Sequence, residues 1–379
     1  MRLDELPGEW DAIVVGAGVA GAMSALHLAR SKLRVLLVEK SRWPREKVCG
    51  GCLNAAALRA LADAGVCLSQ GRGYARMRLA SRARMADFPL PAGLAISRKC
   101  LDAILVEHAL RAGAHFVSEA RASLGAAAPQ ARAVVLRQGS QQRTFSARVV
   151  LDCGGLASRL LPEVDWRIEP GARIGVGASV AEVPAWYRAG TIHMACARHG
   201  YVGLVRAESG TANVAAALDP AWCSETGGPA RAVAQILETA GFPVIGNLHD
   251  LHWLGTPRLT RRRRALGAER VLILGDAAGY MEPFTGEGMA WALADAAAVT
   301  PLARAAVMHW DNSVVTRWST LHARTARARQ RVCRNVSRLL RRPRLLGAVL
   351  PIINAAPTLV SPLSARLNRD FGFIATVRK

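Results

Sequence analysis

The feature that most constrains this 379-residue chain is its opening run DAIVVGAGVAGAMSALHLA, which is followed by RVLLVEK. Residues 12–15 form an unbroken apolar run, which is typical of a strand buried on both faces in a parallel sheet. Gly16, Gly18 and Gly21 follow at the spacing that permits a tight turn, close approach of backbone to a phosphate, and packing of a helix on the strand. Glu39 ends a second apolar strand, where a carboxylate accepts hydrogen bonds from a ribose. This pattern predicts a βαβ unit that binds a dinucleotide.

The helix predicted after these glycines would present unpaired backbone N–H groups and a partial positive charge to a bound anion. A glycine-rich turn without a ligand is the alternative. A Walker-type phosphate loop is disfavoured, because no Lys-Ser or Lys-Thr pair follows the glycines. The complete strand, helix, strand and acid pattern makes dinucleotide binding the stronger interpretation.

Composition indicates a core built mainly from Ala, Leu and Val, since apolar residues make up 51% of the chain and aromatic residues 5%. The length suffices for one large domain or two medium ones. The mixed, polar N-terminus does not read as a signal peptide, and the eight cysteines are scattered rather than arranged as a disulfide framework. We therefore expect a cytoplasmic protein, in contact with membranes at most peripherally.

The net charge of +22 is concentrated near the C-terminus, where no Asp or Glu lies between Asn312 and Arg369. A field of this sign attracts nucleic acid or an anionic lipid surface, although a solvated arginine-rich face is an equally good interpretation. Few aromatic residues are interleaved with the arginines, so base stacking is disfavoured and we expect no nucleic-acid partner. Contact with an anionic membrane stays open.

The segment 345–365 carries no charged residue and is long enough to invite interpretation as a membrane span. Pro351, Pro357, Pro362 and Asn354 interrupt it, which favours a broken helix. We expect an apolar arm that packs on the body of the protein or rests on a bilayer surface.

Three further stretches carry chemistry: WPREKVCGGCLN at 43–54, LDCGGLASRL at 151–160, and VLILGDAAGYMEPFTGEGMAWAL at 271–293. With the opening glycines and Arg98, they resemble the FAD-dependent superfamily of geranylgeranyl reductases, flavin-dependent halogenases and single-component aromatic hydroxylases. The resemblance covers residues from 10 to about 300. It implies an α/β, Rossmann-like FAD-binding fold of the glutathione-reductase and p-hydroxybenzoate-hydroxylase type.

The resemblance also implies an inserted antiparallel β-sheet domain for the substrate and a helical C-terminal region. Alternating apolar and polar residues from about 172 to 219 are consistent with such a sheet. The predicted division is a discontinuous FAD-binding domain (1–70, 98–170 and 270–300), a substrate-binding domain (71–97 and 171–269), and a basic helical region (301–379).

Together with the opening motif, the resemblance assigns FAD contacts to Gly16, Gly18, Gly21, Glu39, Lys40, Arg45, Cys49, Gly50, Gly51, Arg98, Asp152, Gly154, Gly275, Asp276, Pro283, Gly286, Glu287, Gly288 and Met289. Arg98 looks like the residue that neutralises the pyrophosphate, with a surface helix arginine as the alternative. Asp276, at the end of a buried strand, can accept a hydrogen bond from a ribityl or ribose hydroxyl. Unpaired N–H groups near Gly286 and Gly288 would face the flavin pyrimidine ring and stabilise the negative charge of reduced flavin.

In DCGGLASR, Asp152 and Gly154 would shape a turn under the cofactor, and Arg159 is the candidate contact for a nicotinamide phosphate. No second GxGxxG follows a later strand, which predicts that NAD(P)H visits the flavin transiently or that another protein supplies the electrons. The CGGC motif lacks a second CxxC or His pair, so we expect no metal site. Cys52 is expected to serve packing, with a redox disulfide as the alternative.

The candidate catalytic residues are Cys49, Tyr201 and His193. In the reductase branch of the superfamily a Cys-Gly-Gly lies beside the isoalloxazine, which the resemblance carries to Cys49, with Arg45 and Lys47 as nearby cations. For His193 a structural strand histidine is the alternative. The chain lacks the halogenase WxWxIP motif, and it has HGYVGLVRA where geranylgeranyl reductases have YxWxFP.

We favour an FAD-dependent monooxygenase that hydroxylates an apolar aromatic or polyketide-lipid substrate with NAD(P)H and O2. The second hypothesis is geranylgeranyl-reductase-like reduction of carbon–carbon double bonds in a prenyl lipid, with Cys49 supplying a proton. A third is a flavin-containing redox sensor that binds nucleic acid or a membrane surface. The expected partner is a hydrophobic or lipid-like small molecule, and the sequence leaves the oligomeric state open.

Overall fold

The apolar runs of the opening motif are fully buried, and they form neighbouring strands at the centre of a sheet. The computed structural model describes residues 1–161, 166–208, 210–282, 284 and 286–368. Within them the strands are β1 (Glu9–Val15), β2 (Val35–Val38), β3 (Cys52–Leu53), β4 (Arg72–Ser81), β5 (Arg84–Ala95), β6 (His115–Val117), β7 (Ala120–Ala127), β8 (Arg132–Gln138), β9 (Gln141–Asp152), β10 (Trp166–Ile168), β11 (Ile174–Val180), β12 (Thr191–Ala197), β13 (Gly200–Arg206), β14 (Ala212–Leu218), β15 (Leu254–Arg258), β16 (Arg261–Arg263), β17 (Gly267–Ala268), β18 (Val271–Ile273) and β19 (Gly279–Tyr280).

The α-helices of the described residues alternate with strands in the first half of the chain and dominate its end. They are α1 (Val19–Arg30), α2 (Ala55–Asp63), α3 (Arg98–Arg111), α4 (Pro220–Glu225), α5 (Pro229–Thr239), α6 (Gly288–Met308), α7 (Ser313–Leu340), α8 (Pro343–Ala355) and α9 (Ser361–Leu367).

The first sheet is the predicted Rossmann-like core. Its main path runs β17-β18-β9-β1-β2-β6, and β18, β9, β1, β2 and β6 pair in parallel. Val14 stands opposite Leu37 on one side and Leu151 on the other, so apolar runs meet in register. Parallel strands buried on both faces need a helical layer, which α1, α3 and α6 supply. The carboxyl ends of β1, β2, β9 and β18 lie at one edge, where ligands bind in open α/β sheets.

The second sheet is mostly antiparallel and has the order β15-β11-β14-β13-β12-β4-β5-β3. Helix α5 packs on β12 and β13, through residues that include Val233 and Ile236. The opposite face carries Met77, Met194 and Tyr201, which belong to a separate apolar cluster. Side chains along a strand alternate between the two faces of the sheet, so every second residue of a strand lies on this face.

The chain crosses between the two sheets more often than the predicted domain boundaries assume. Strand β3 lies within the predicted FAD-binding segment 1–70, yet it pairs with β5 of the second sheet. Strand β10, within 98–170, pairs with β16 in a small third sheet. The boundaries of the domains stay a prediction.

The C-terminal helices extend the body rather than forming a separate unit. The Trp318 indole of α7 is buried and donates to the Ile273 carbonyl of β18 at 2.8 Å. Helix α8 packs on β4 and β5, with Leu346 and Leu350 buried. Among the described residues, no single helix is long and apolar enough to cross a membrane, although α8 and the segment 357–365 together meet that test with a bend of 117°.

Candidate functional site

The turn after β1 depends on two glycines that bring three backbone segments together. Gly16 has φ +104°, and a Cβ there would lie 2.4 Å from the Cys153 carbonyl oxygen. A Cβ on Gly21 would lie 1.8 Å from the Gly16 carbonyl oxygen. Any side chain at these positions would therefore push α1 away from β1 and β9.

A pair of guanidinium groups lies at the N-terminus of α1, next to its N-cap residue Gly18. A Cβ on Gly18 would lie 3.3 Å from Arg98 Nη2 and 3.6 Å from Arg45 Nη2. Asp102 fixes both groups, because it accepts two bonds from Arg98 at 3.0 and 2.8 Å and one from Arg45 at 2.8 Å. Two cations beside a helix N-terminus make an anion site, which fits the pyrophosphate of FAD.

Glu39 ends β2 as a buried carboxylate. It accepts from the Ala17 N–H at 3.1 Å and the Ser41 N–H at 3.0 Å, and Arg45 Nε lies 3.2 Å away. The side chain is therefore held at the edge of the sheet, beside the α1 turn, where the sequence predicts ribose binding. Lys40 is exposed. The structure does not bring Lys40 into this cluster.

A second glycine-bearing turn follows β18. Asp276 lies 3.6 Å from Lys47 Nζ, and burial and the neighbouring Arg98 lower the pKa of Lys47. Gly275 donates its N–H to Asp295 at 3.0 Å, which fixes the start of the turn. Pro283 lies outside the described residues. The turn ends at the N-terminus of α6, where the predicted cofactor residues are Gly286, Glu287, Gly288 and Met289.

The turn after β9 is pinned by Asp152, which is fully buried. Its carboxylate accepts from the Ser158 hydroxyl at 2.7 Å and the Gly154 N–H at 3.0 Å. Burial raises the pKa of Asp152, and these bonds oppose that effect. The side chain thus shapes the turn after β9. Arg159 is exposed on the same turn.

A cavity of about 550 Å³ joins the two glycine-bearing turns to the second sheet. Among the described residues, its only charged lining side chains are Lys47, Arg98 and Asp276, all at the turns. The remaining wall is overwhelmingly apolar. From the predicted cofactor and catalytic set, it is lined by Gly18, Cys49, Gly50, Gly51, Arg98, Tyr201, Asp276, Gly286, Gly288 and Met289.

Cys49 and Tyr201 both line this cavity, so the structure brings two of the three predicted catalytic residues together. Cys49 Sγ accepts from the Gly51 N–H at 3.4 Å. Tyr201 lies edge-on to Phe284 with 5.4 Å between ring centroids. Burial raises the pKa of Tyr201 and of Tyr280, another lining residue, well above the ordinary value. Both phenols therefore stay protonated near neutral pH and can donate hydrogen bonds.

His193 does not reach the cavity. Its neighbours on β12, Ile192 and Met194, line the cavity, whereas His193 points to the opposite face of the sheet. There it contacts the rings of Trp186 and Phe242. Burial, followed by the charge of Arg78, lowers its pKa to about 4. The placement supports the alternative of a structural strand histidine.

Cys52 is a second departure from expectation. The sequence predicts a packing role for it, yet it lines the cavity and donates its thiol to the Gly50 carbonyl at 3.5 Å. Burial raises the pKa of Cys52, so the thiol stays neutral. Cys49 and Cys52 are both free thiols.

Sequence reasoning missed several residues of the site. Asp102 lies four residues after Arg98 on a predicted helix, and this spacing was a usable signal for an ion pair. Tyr280 and Phe284 lie within the GDAAGYMEPF stretch but were assigned no role. The C-terminal residues on the cavity wall gave no local signal, because only the tertiary fold brings them there. They are Val336, Leu339, Leu340, Leu346, Val349, Ile352, Ile353, Leu359, Val360, Leu363, Ser364 and Asn368.

Comparison with known proteins agrees with this geometry. A family model described as "FAD binding domain" matches residues 9–333. The chain is 34% identical over 126 residues to the "Probable electron transfer flavoprotein-quinone oxidoreductase YdiS" of Escherichia coli (strain K12), covering 30% of this chain and 29% of that protein. The chain covers less than two thirds of the length of the curated relatives that it matches.

Two solved structures share the fold over nearly the whole chain. PqsL, described as "a probable FAD-dependent monooxygenase from Pseudomonas aeruginosa", superposes with a TM-score of 0.68 at 19% identity, covering 90% of this chain and 99% of that chain. The flavin-dependent brominase Bmp2 superposes with a TM-score of 0.77 at 14% identity, covering 95% of this chain and 93% of that chain. At these identities the likeness shows the fold.

Proposed function

Because the chain belongs to the FAD binding domain family, we propose that it is an FAD-dependent monooxygenase acting on an apolar aromatic or polyketide-lipid substrate. The reaction consumes NAD(P)H, a proton, O2 and the substrate, and it yields NAD(P)⁺, water and the hydroxylated product. One observation carries the proposal: a single cavity holds the cofactor-binding turns at one end and an apolar wall at the other.

The division of the cavity suits oxygen chemistry on an apolar molecule. Reduced FAD supplies the two electrons that activate O2. Arg98 and the α1 N-terminus would hold the anionic part of the cofactor, while the N-terminus of α6 would favour negative charge on the flavin ring. The apolar wall of the second sheet excludes water, which protects reactive species from side reactions. Tyr201 and Tyr280 offer neutral hydrogen-bond donors to a polar group of the substrate.

The second candidate is reduction of a carbon–carbon double bond in a prenyl lipid. Cys49 favours it, because its thiol lines the cavity beside Gly50 and Gly51. Hydride from reduced flavin and a proton from Cys49 would saturate the bond, and O2 would take no part. The apolar wall suits either substrate class, so the two candidates differ in their use of oxygen.

Oxygen dependence separates the two candidates. Purified holoprotein is incubated with NADPH or NADH and a panel of apolar phenols, polyketide-like aromatics and prenyl alcohols, with and without O2. We expect products heavier by one oxygen atom, formed only in air and labelled from ¹⁸O2. Products heavier by two hydrogens under anaerobic conditions would establish the reductase instead. A Cys49→Ala variant keeps hydroxylation under the first reading and loses reduction under the second.

A further inference from the structure

The end of α7 and the C-terminal arm together place large apolar side chains on the surface around the cavity. Four residues that line the cavity are also exposed to solvent. They are Leu339 (37% exposed), Ile352 (58%), Leu359 (62%) and Leu363 (40%). We call these four residues the apolar rim. Because they belong both to the cavity wall and to the protein surface, the cavity reaches the surface among them.

Helix α8 extends this apolar surface. Leu346 and Leu350 bury one side of the helix against β4 and β5. The exposed positions Leu345, Ala348 and Ala355 are apolar as well. Arg344 and Asn354 are the polar residues of the helix. We call its exposed apolar positions the outer face of α8, and an exposed apolar face of this kind indicates a missing apolar partner.

The charges beside the rim identify the chemistry of that partner. Arg338 directly precedes Leu339, Arg342 precedes α8, and Arg344 lies in the first turn of α8. All three are exposed. No Asp or Glu occurs in the sequence between Asn312 and Arg369 to offset them. Arginines flanking apolar side chains match an anionic headgroup layer above acyl chains, in which a bent apolar segment lies in the interface plane.

We propose that the apolar rim and the outer face of α8 dock on the surface of an anionic lipid bilayer. Docking places the cavity opening against the acyl chains, so that an apolar substrate passes from the bilayer into the cavity without crossing water. This inference deepens the proposed function and rests on it for the substrate class alone. The position of α8 beside the cavity is fixed in part by Arg84 of β5, whose Nη1 donates to the Gly347 carbonyl at 3.0 Å and ties α8 to the second sheet.

Vesicle co-sedimentation of the FAD-loaded protein tests the docking without requiring turnover. The vesicles are phosphatidylcholine alone or equimolar phosphatidylcholine and phosphatidylglycerol. We expect binding to the anionic vesicles, reduced at least about tenfold in an Ile352→Glu/Leu359→Glu variant. The matched control is Val244→Glu, an exposed apolar residue (69%) outside the arm, which binds like the wild type.

A charge variant tests the same surface independently. Arg342→Ser/Arg344→Ser should lose the preference for anionic vesicles and most of the salt dependence of binding. The proposal is overturned if the wild-type protein binds neither kind of vesicle. It is also overturned if the Ile352→Glu/Leu359→Glu variant binds anionic vesicles as strongly as the wild type. Sedimentation velocity showing a dimer that this variant dissociates overturns it too, because the rim would then face a second copy. FAD titration of the same samples shows whether the protein binds flavin, so failure of membrane docking can be distinguished from failure of the proposed FAD-dependent function.

Discussion

Arg98 and Arg45 share one acceptor, Asp102, at the N-terminus of α1. The two guanidinium groups are therefore oriented before any anion binds, which lowers the entropic cost of binding. A charge-assisted hydrogen bond of this kind contributes roughly 1.5–3 kcal/mol. The cluster is the part of the site in which one substitution should have the largest effect on the cofactor.

We predict that Arg98→Ala weakens FAD binding by about 10- to 100-fold. The measurement is quenching of flavin fluorescence on titration with protein. Arg111→Ala is the matched control, because Arg111 is on the same helix and forms an exposed i,i+4 pair with Glu107. An exposed pair contributes little, so the control should bind FAD like the wild type. Equal affinities for Arg98→Ala and Arg111→Ala would contradict the assigned role.

His193 gives a prediction for pH. Its pKa in the folded protein is lowered to about 4 by burial and by Arg78. A group with a lowered folded pKa binds protons more readily when unfolded, so the protein loses stability as pH falls from about 6.5 towards 4. His193→Phe removes this loss and keeps a ring beside Trp186.

Between pH 7.5 and pH 5, the wild type should lose about 1–2 kcal/mol more unfolding free energy than His193→Phe loses. Urea denaturation at the two pH values measures it. His193→Phe should also keep full activity, since the residue lies on the face of β12 away from the cavity. A variant with wild-type acid sensitivity, or one without activity, would contradict the placement.

At the scale of elements, α8 is held to the second sheet by its buried side. Leu350→Ala leaves a void where the side chain is fully buried, and such voids cost about 2–5 kcal/mol. We predict that Leu350→Ala loosens the arm, measured as faster proteolysis at 343–365. Leu345→Ala on the exposed side of the same helix is the control, and its effect should stay within about 0.5 kcal/mol. Equal rates of proteolysis in the two variants would mean that α8 does not pack on the second sheet as described.

The elements that could be predicted from the sequence are those whose signal is local. The apolar run of β1, the three glycines of the α1 turn and Glu39 lie within one short stretch, and their spacing specifies their geometry. The C-terminal segment is broken at Pro357, whereas Pro351 and Asn354 lie inside the continuous helix α8 and Pro362 lies in the first turn of α9. His193 shows the limit of prediction from local sequence. Neighbouring residues of a strand lie on opposite faces of the sheet, and the sequence did not predict which face of β12 borders the cavity. The Arg45–Asp102 contact and the apolar rim depend on tertiary packing across distant segments.

At the scale of the whole molecule, two sheets and a helical arm meet around one cavity. The parallel sheet presents the turns after β1 and β18, the antiparallel sheet provides an apolar wall, and residues of α8 and α9 line the far side, where the cavity reaches the surface. None of the three parts alone encloses a site.

The proposed function requires one FAD bound per chain, with its ring in apolar surroundings. The measurement is the visible absorption spectrum of purified protein during titration with FAD. We predict saturation at one FAD per chain, with a flavin band that gains vibrational structure relative to free FAD. A correctly folded protein that leaves the spectrum of added FAD unchanged at every ratio would contradict the account.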